Sequence, residues 1–218
     1  NYLTGQISHM AFQHGRTPDQ ISSLGQDTLS AGGLLLFDLG YFKQERLQEI
    51  DQKEAFFVTR CHSQVGLYTI DTQKPVVLVD MLAHHSCTQF EWHGRLGTRS
   101  RLDVRVVARR VPQERAEARK RRAQTKAKEQ GYTCSERHLK WLEWDVLVTN
   151  LDSNWDAECL FILYGIRWQV ELVFKVWKSR FAVAIYGKCR KQRVMCQLYA
   201  RLIGAWLCHM TVGNLAKH

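Results

Sequence analysis

No uninterrupted apolar run in the 218-residue sequence approaches the roughly 20 residues that a helix needs to cross a bilayer. The opening residues, Asn1-Tyr2-Leu3-Thr4-Gly5, lack the basic and apolar stretches of a secretory signal, and they lack an initiating Met, so the chain reads as a fragment. There is no C-x-x-C pair. The seven cysteines (Cys61, Cys87, Cys134, Cys159, Cys189, Cys196 and Cys208) are odd in number and scattered, which excludes a disulfide framework and suits a reducing cytoplasm. Cys61, His62, His84, His85, Cys87 and His93 crowd one stretch, yet the spacings of structural zinc sites are absent. Acids are also in short supply: 21 Asp and Glu face 31 Lys and Arg, leaving a net charge of +10. Such a surplus favours a polyanionic partner, nucleic acid first. Hydrophobic residues at 45% and charged residues at 24% match ordinary globular usage, and this length suits a single domain or one with a large insertion.

The positive charge is concentrated. Between positions 109 and 128 lie nine basic and two acidic residues, most of the chain's surplus. Pro112 can open a helix there and Gly131 can close it, so a basic helix is expected over 111–130. Few large apolar side chains follow Val111, so this helix has almost no face to bury. It is either a solvated, salt-laced helix or an arm that contacts phosphates, with Arg119, Arg121 and Arg122 as its candidate contacts.

Elsewhere the pattern is that of an α/β core. The run Leu34-Leu35-Leu36-Phe37 has no alternation and suits a strand covered on both faces. A helical stretch over 43–53 and a second buried strand over 55–59 follow, which makes a βαβ unit. From 61 to 107 the character changes to short β segments at 66–69, 76–79 and 102–107, read as an inserted β-rich subdomain. Core-like signals return at 144–149. A last amphipathic helix is expected over 193–207, with Cys196 and Cys208 as small core residues.

Two places hold chemistry. Asp38 ends the first buried strand just before Gly40, where ligand groups gather in open α/β sheets, although it could equally cap the next helix. Further on, Tyr164, Arg167, Glu171 and Lys178 fall within about 60° of one another on a helical count, with Lys175 close by. Ile166, Val170, Val173 and Trp177 form the apolar back of that helix. A carboxylate on such a face can hold a divalent metal while Arg and Lys grip phosphates. The same pattern also suits a surface helix laced by Arg–Glu pairing.

Taken together, Asp38-Leu39-Gly40-Tyr41 and the spacing Tyr164, Arg167, Glu171, Lys178 resemble the DDE transposases of bacterial insertion sequences, in particular the insertion-sequence-four family. Gly15-Arg16-Thr17-Pro18-Asp19-Gln20, Phe57-Val58-Thr59-Arg60 and Val148-Thr149-Asn150 support the match, which extends over essentially the whole chain. The resemblance implies a ribonuclease-H-like core in two parts, 1–60 and 144–218, interrupted by a β-rich insertion over 61–143 that contains the basic helix. It implies two Mg²⁺ or Mn²⁺ ions held by three carboxylates, with Asp38 as the second and Glu171 as the third. Tyr164, Arg167 and Lys178 match residues that position phosphates at the element's ends, and Trp144 lies where some members stack a flipped base. The implied partners are DNA ends and target DNA, bound by a homodimer in the bacterial cytoplasm. No acid precedes Ile7 to match the first carboxylate, so the first strand is expected to be missing and this chain is expected not to cleave DNA alone. A rival expectation is a catalytically dead remnant that binds DNA, or pairs with an intact transposase and inhibits it.

Overall fold

The structure, a computed structural model, describes residues 29–182 and 190–215. They belong to two compact units that divide between Tyr164 and Gly165.

The larger unit is built on a seven-stranded sheet. Its strands are β1 (Leu34–Phe37), β2 (Phe56–Arg60), β3 (Leu67–Tyr68), β4 (Pro75–Val76), β5 (Gln89–Leu96), β6 (Leu102–Arg110) and β7 (Trp144–Thr149). The spatial order is β1-β2-β7-β6-β5-β3-β4. β1 and β2 run parallel, with Leu34 opposite Phe56, and every other pairing is antiparallel. The parallel pair is joined by α1 (Gln44–Gln52), as the βαβ pattern predicts.

Side chains alternate between the two faces of this sheet. Phe57, Val106, Val146 and Val148 point into one core, against Leu47 and Ile50 of α1 and Leu78 and Leu82 of α2 (Leu78–Ala83). Val58, Val107 and Leu147 point into a second core, against Leu160, Phe161 and Tyr164 of α5 (Ala157–Ile166). Burial on both faces is why the central strands lack polar alternation.

Residues 61–143, read from sequence as an inserted segment, supply β3 to β6, and these strands continue the same hydrogen-bonded sheet through the β6–β7 pairing. Of the run expected as a strand at 76–79, Val76 alone pairs in a strand, as the second residue of β4. Leu78, Val79 and Leu82 are buried at helical spacing and open α2 instead. The basic helix is α3 (Gln113–Glu129), and Gly131 closes it with a φ of 75° that a side chain would strain. A short helix, α4 (Glu136–Trp141), follows, its first turn capped by the Ser135 hydroxyl accepting from the His138 N–H at 3.2 Å.

The second unit contains α6 (Trp168–Arg180) and α7 (Lys191–Leu215). Trp177, Leu202 and Ala205 are buried there, with Val173, Phe181 and Leu198 packed around them. Two expectations are corrected. Cys196 and Cys208 are exposed, because the packed stripe of α7 runs through Leu198, Leu202 and Ala205 and leaves both cysteines off it. Val170 is exposed as well, so the apolar back of α6 is narrower than the sequence count implies. Gly15-Arg16-Thr17-Pro18-Asp19-Gln20 lies outside the described residues.

Candidate active site

Asp38 stands at the carboxyl end of β1. Its backbone is extended (φ −83°, ψ 166°) and opens a single 3-10 turn over Leu39–Tyr41, but its side chain makes no capping hydrogen bond. The capping alternative therefore does not account for the acid. The Tyr164 hydroxyl, at the buried end of α5, instead donates to Asp38 Oδ1 at 3.1 Å. Above the same ring sits the Arg60 guanidinium, 6.0 Å from its centroid. The first residue of the Y/R/E/K pattern thus closes onto the acid of the D-x-G-Y pattern, although 126 positions separate them.

The other three members of the pattern do not share a continuous helix with Tyr164. The helix is interrupted at Arg167, where α5 ends and α6 begins, two residues past Gly165, a poor helix former. From Arg167 into α6 the Arg–Glu pairing of a salt-laced helix face is present. Arg167 Nη1 pairs with Glu171 Oε1 at 3.0 Å. Glu171, Lys175 and Lys178 line one open hollow of about 600 Å³ together with Phe174 and Ser179. A carboxylate flanked by two ammonium groups in a solvent-accessible hollow is suited to a charged, hydrated ligand.

The basic helix is attached to the sheet by charge. Arg119 Nη2 reaches Asp145 Oδ1 at 2.7 Å, and Lys120 Nζ reaches Glu143 Oε1 at 2.8 Å. That hydrogen bond with Glu143 holds the Lys120 ammonium above its ordinary value. Arg121 and Arg122 remain exposed. Trp144 is only 4% exposed: it belongs to the larger core cluster and carries the Arg110 guanidinium 4.8 Å from its ring centroid. Core packing accounts for this residue without any ligand.

Sequence reasoning missed Asp145, Arg60 and Arg109. Asp145 is 13% exposed and lies within 4 Å of Arg119, Arg60 and Arg109. The available signal was an acid inside an otherwise apolar strand, Trp144-Asp145-Val146-Leu147-Val148.

Residues 5–207 match the family model described as Transposase DDE domain. The chain belongs to the DDE transposases. Among relatives it is 29% identical over 210 residues to the transposase for insertion sequence element IS231B of Bacillus thuringiensis subsp. berliner, covering 88% of this chain and 44% of that protein. It is 30% identical over 212 residues to the IS231C transposase of the same subspecies, with the same coverage. The IS231E transposase of Bacillus thuringiensis subsp. finitimus is 26% identical over 240 residues, covering 98% and 49%. This DDE transposase chain therefore spans a little under half the length of the curated relatives it matches. No solved structure gives a significant match.

Carboxylates are hard oxygen donors, suited to Mg²⁺ or Mn²⁺. Asp38 and Glu171 have that chemistry, but among the described residues no three His, Cys, Asp or Glu side chains gather into one cation cage. That statement covers the stretch from Cys61 to His93, where burial also pushes the Cys61 thiol well above its ordinary value and keeps it protonated. No helix among the described residues is long and apolar enough to cross a membrane.

Proposed function

We propose that this DDE transposase chain takes part in DNA transposition, through metal-dependent hydrolysis of phosphodiesters and strand transfer at the ends of an insertion sequence. The observation that supports this most is the hydrogen bond from Tyr164 to Asp38, because it joins two motifs that the sequence links only through family resemblance. In this reading Asp38 and Glu171 each supply a carboxylate to divalent ions, Mg²⁺ or Mn²⁺. Arg167, Lys175 and Lys178 hold phosphates, with Arg119, Arg121 and Arg122 as further contacts along the basic helix. Tyr164 acts through Asp38 as well as on the DNA backbone.

The fold we assign is ribonuclease-H-like, with 61–143 as the insertion between core parts 1–60 and 144–218. The partners are insertion-sequence ends and target DNA, engaged by a homodimer in the bacterial cytoplasm. Only two of the three family carboxylates find matches in the sequence, so these 218 residues bind DNA without cleaving it.

Fe²⁺ substitutes for Mg²⁺ at hard-oxygen sites, and with ascorbate and peroxide it cuts the backbone next to its ligands. The expected result is cutting near residue 38 and near residue 171, weakened at each by Asp38→Asn and Glu171→Gln. Cutting at neither place would overturn the metal assignment. Mg²⁺-dependent nicking of a duplex by the unaltered chain would overturn its assigned inactivity.

A further inference from the structure

One carboxylate faces three guanidinium groups at the end of the sheet where Asp38 stands. Asp145 Oδ1 is 2.7 Å from Arg119 Nη2 and 3.7 Å from Arg60 Nη2, and Oδ2 is 3.9 Å from Arg109 Nε. Only Arg119 is at hydrogen-bond distance, so Asp145 leaves most of the donors of Arg60 and Arg109 uncommitted. Both of those side chains are close to half exposed, at 48% and 44%.

Each arginine is also braced from behind. Arg60 lies over the Tyr164 ring and Arg109 lies 4.1 Å from the centroid of Phe161. Arg119 donates to the backbone oxygens of Leu142 and Trp144. The frame is rigid, because Arg109 and Asp145 face each other directly in the β6–β7 register and Arg60 ends β2 on the other side of β7. Beside Asp145 is a cleft of about 340 Å³ lined by Arg60, Arg119, Arg122 and Asp145 itself, which reaches Leu39, the residue after Asp38; Arg109 contacts Asp145 without lining it.

We propose that this cleft is a binding site for the phosphodiester backbone of a DNA strand, and that Asp145 is the positioning residue that fixes its arginines. Arg60, Arg119 and Arg122 against the one Asp145 carboxylate leave the cleft lining an excess of two positive charges. One guanidinium can bind phosphate through two parallel donors, and the Asp145 hydrogen bond to Arg119 and the Tyr164 ring beneath Arg60 restrict how far these two planes turn. The inference rests on the transposase reading for the identity of the polyanion, and its residues all lie in the larger unit.

The sign of one substitution separates positioning from simple charge. Asp145→Asn makes the chain more positive by one, so long-range attraction alone predicts tighter binding to DNA. Positioning predicts the opposite. Anisotropy titrations of the 218-residue chain with a fluorescent oligonucleotide of about 20 nucleotides, repeated from low to moderate salt, measure both affinity and the salt slope. The expected result for Asp145→Asn is binding weaker by about tenfold, with a log–log salt slope shallower by about 1–2, as if one or two phosphate contacts were gone. Tighter binding, or an unchanged slope, would overturn the proposal.

Arg122→Ala guards against a folding artefact, because that side chain is exposed and makes no ion pair among the described residues. It should leave the thermal midpoint unchanged and lower the slope by about 1. An unchanged slope would show that the cleft does not take phosphate, whatever Asp145→Asn does to the fold. Normal binding in both variants would refute this inference and leave the transposase reading intact. Loss of metal-directed cutting at residues 38 and 171 with the cleft effects present would do the reverse.

Discussion

Replacing Asn150 by Ala removes three hydrogen bonds at once. Asn150 Oδ1 accepts from the Phe57 N–H at 2.9 Å, while Nδ2 donates to the Ala55 carbonyl at 2.9 Å and to Asp51 Oδ1 at 2.9 Å. The first two partners are main-chain groups at the partly buried start of β2, so one amide side chain pins that strand to the end of β7. The neighbouring Thr149 hydroxyl donates to the Phe57 carbonyl at 2.6 Å and completes the clamp. Each of the two partly buried bonds contributes about 1–1.5 kcal/mol net, and the exposed contact to Asp51 adds little, so the total loss should be about 2–3 kcal/mol. For a chain of this size that lowers the unfolding midpoint by roughly 5–10 °C. Asn150→Asp is the informative partner. It keeps the acceptor for Phe57 but cannot donate to Ala55, and it sets a carboxylate against Asp51. Its stability should be at least as low at neutral pH and partly restored below about pH 4, where the carboxyl protonates. Urea and thermal unfolding followed by circular dichroism measure both variants, and hydrogen exchange reports the Phe57 amide directly. A midpoint within about 1 °C of wild type for Asn150→Ala, with that amide still protected, would refute the structural role given to Asn150.

Two further perturbations test other parts of the molecule. The buried Arg105 guanidinium donates to both oxygens of Glu91 at 2.8 and 2.9 Å and to the carbonyls of Asp152 and Trp155. Arg105→Met should therefore destabilise by about 2–4 kcal/mol in urea unfolding, mostly from the stranded carbonyls. The hydrogen bond from Arg105 is also the main reason that the Glu91 carboxyl lies below its ordinary value. A carboxyl depressed in the folded state contributes stability above its unfolded value, about 4.3, and loses it as pH falls through the folded value. That acid-limb loss should shrink in Arg105→Met, and an unchanged pH profile would contradict the assignment. Tyr164→Phe keeps the buried ring but removes the donor to Asp38. Stability should fall by only about 0.5–1.5 kcal/mol, while Fe²⁺-directed cutting near residue 38 weakens; undiminished cutting would show that the hydroxyl does not orient the acid.

Where the sequence signal was local and strongly periodic, it located the structure well. The parallel pair β1 and β2 follows from two unbroken apolar runs with a helical stretch between them, and α3 follows from Pro112 and Gly131 at its ends. β5 escaped notice although Phe90, Trp92 and Leu96 alternate, because Glu91, His93 and Arg95 between them read as a polar stretch. The β-branched run at 76–79 favoured a strand on propensity, whereas burial of Leu78, Val79 and Leu82 selected a helix. An angular count along one helix cannot register the interruption at Arg167, since it assumes constant advance per residue. Contacts between distant positions were the least legible. Tyr164 with Asp38, and Asp145 with three arginines from three different elements, depend on sheet order, which no local pattern encodes.

The way α3 is attached has a physical consequence for solution conditions. Its buried side chains are two alanines, Ala116 and Ala127, and Arg119 and Lys120 anchor it to acids on β7 and just before it. Dissolved ions shield such Coulombic anchors, whereas strongly hydrated salts such as sulfate tighten an oily interior. Raising ammonium sulfate would therefore loosen this helix while firming the sheet behind it, so the two parts of one domain would answer the same additive with opposite sign.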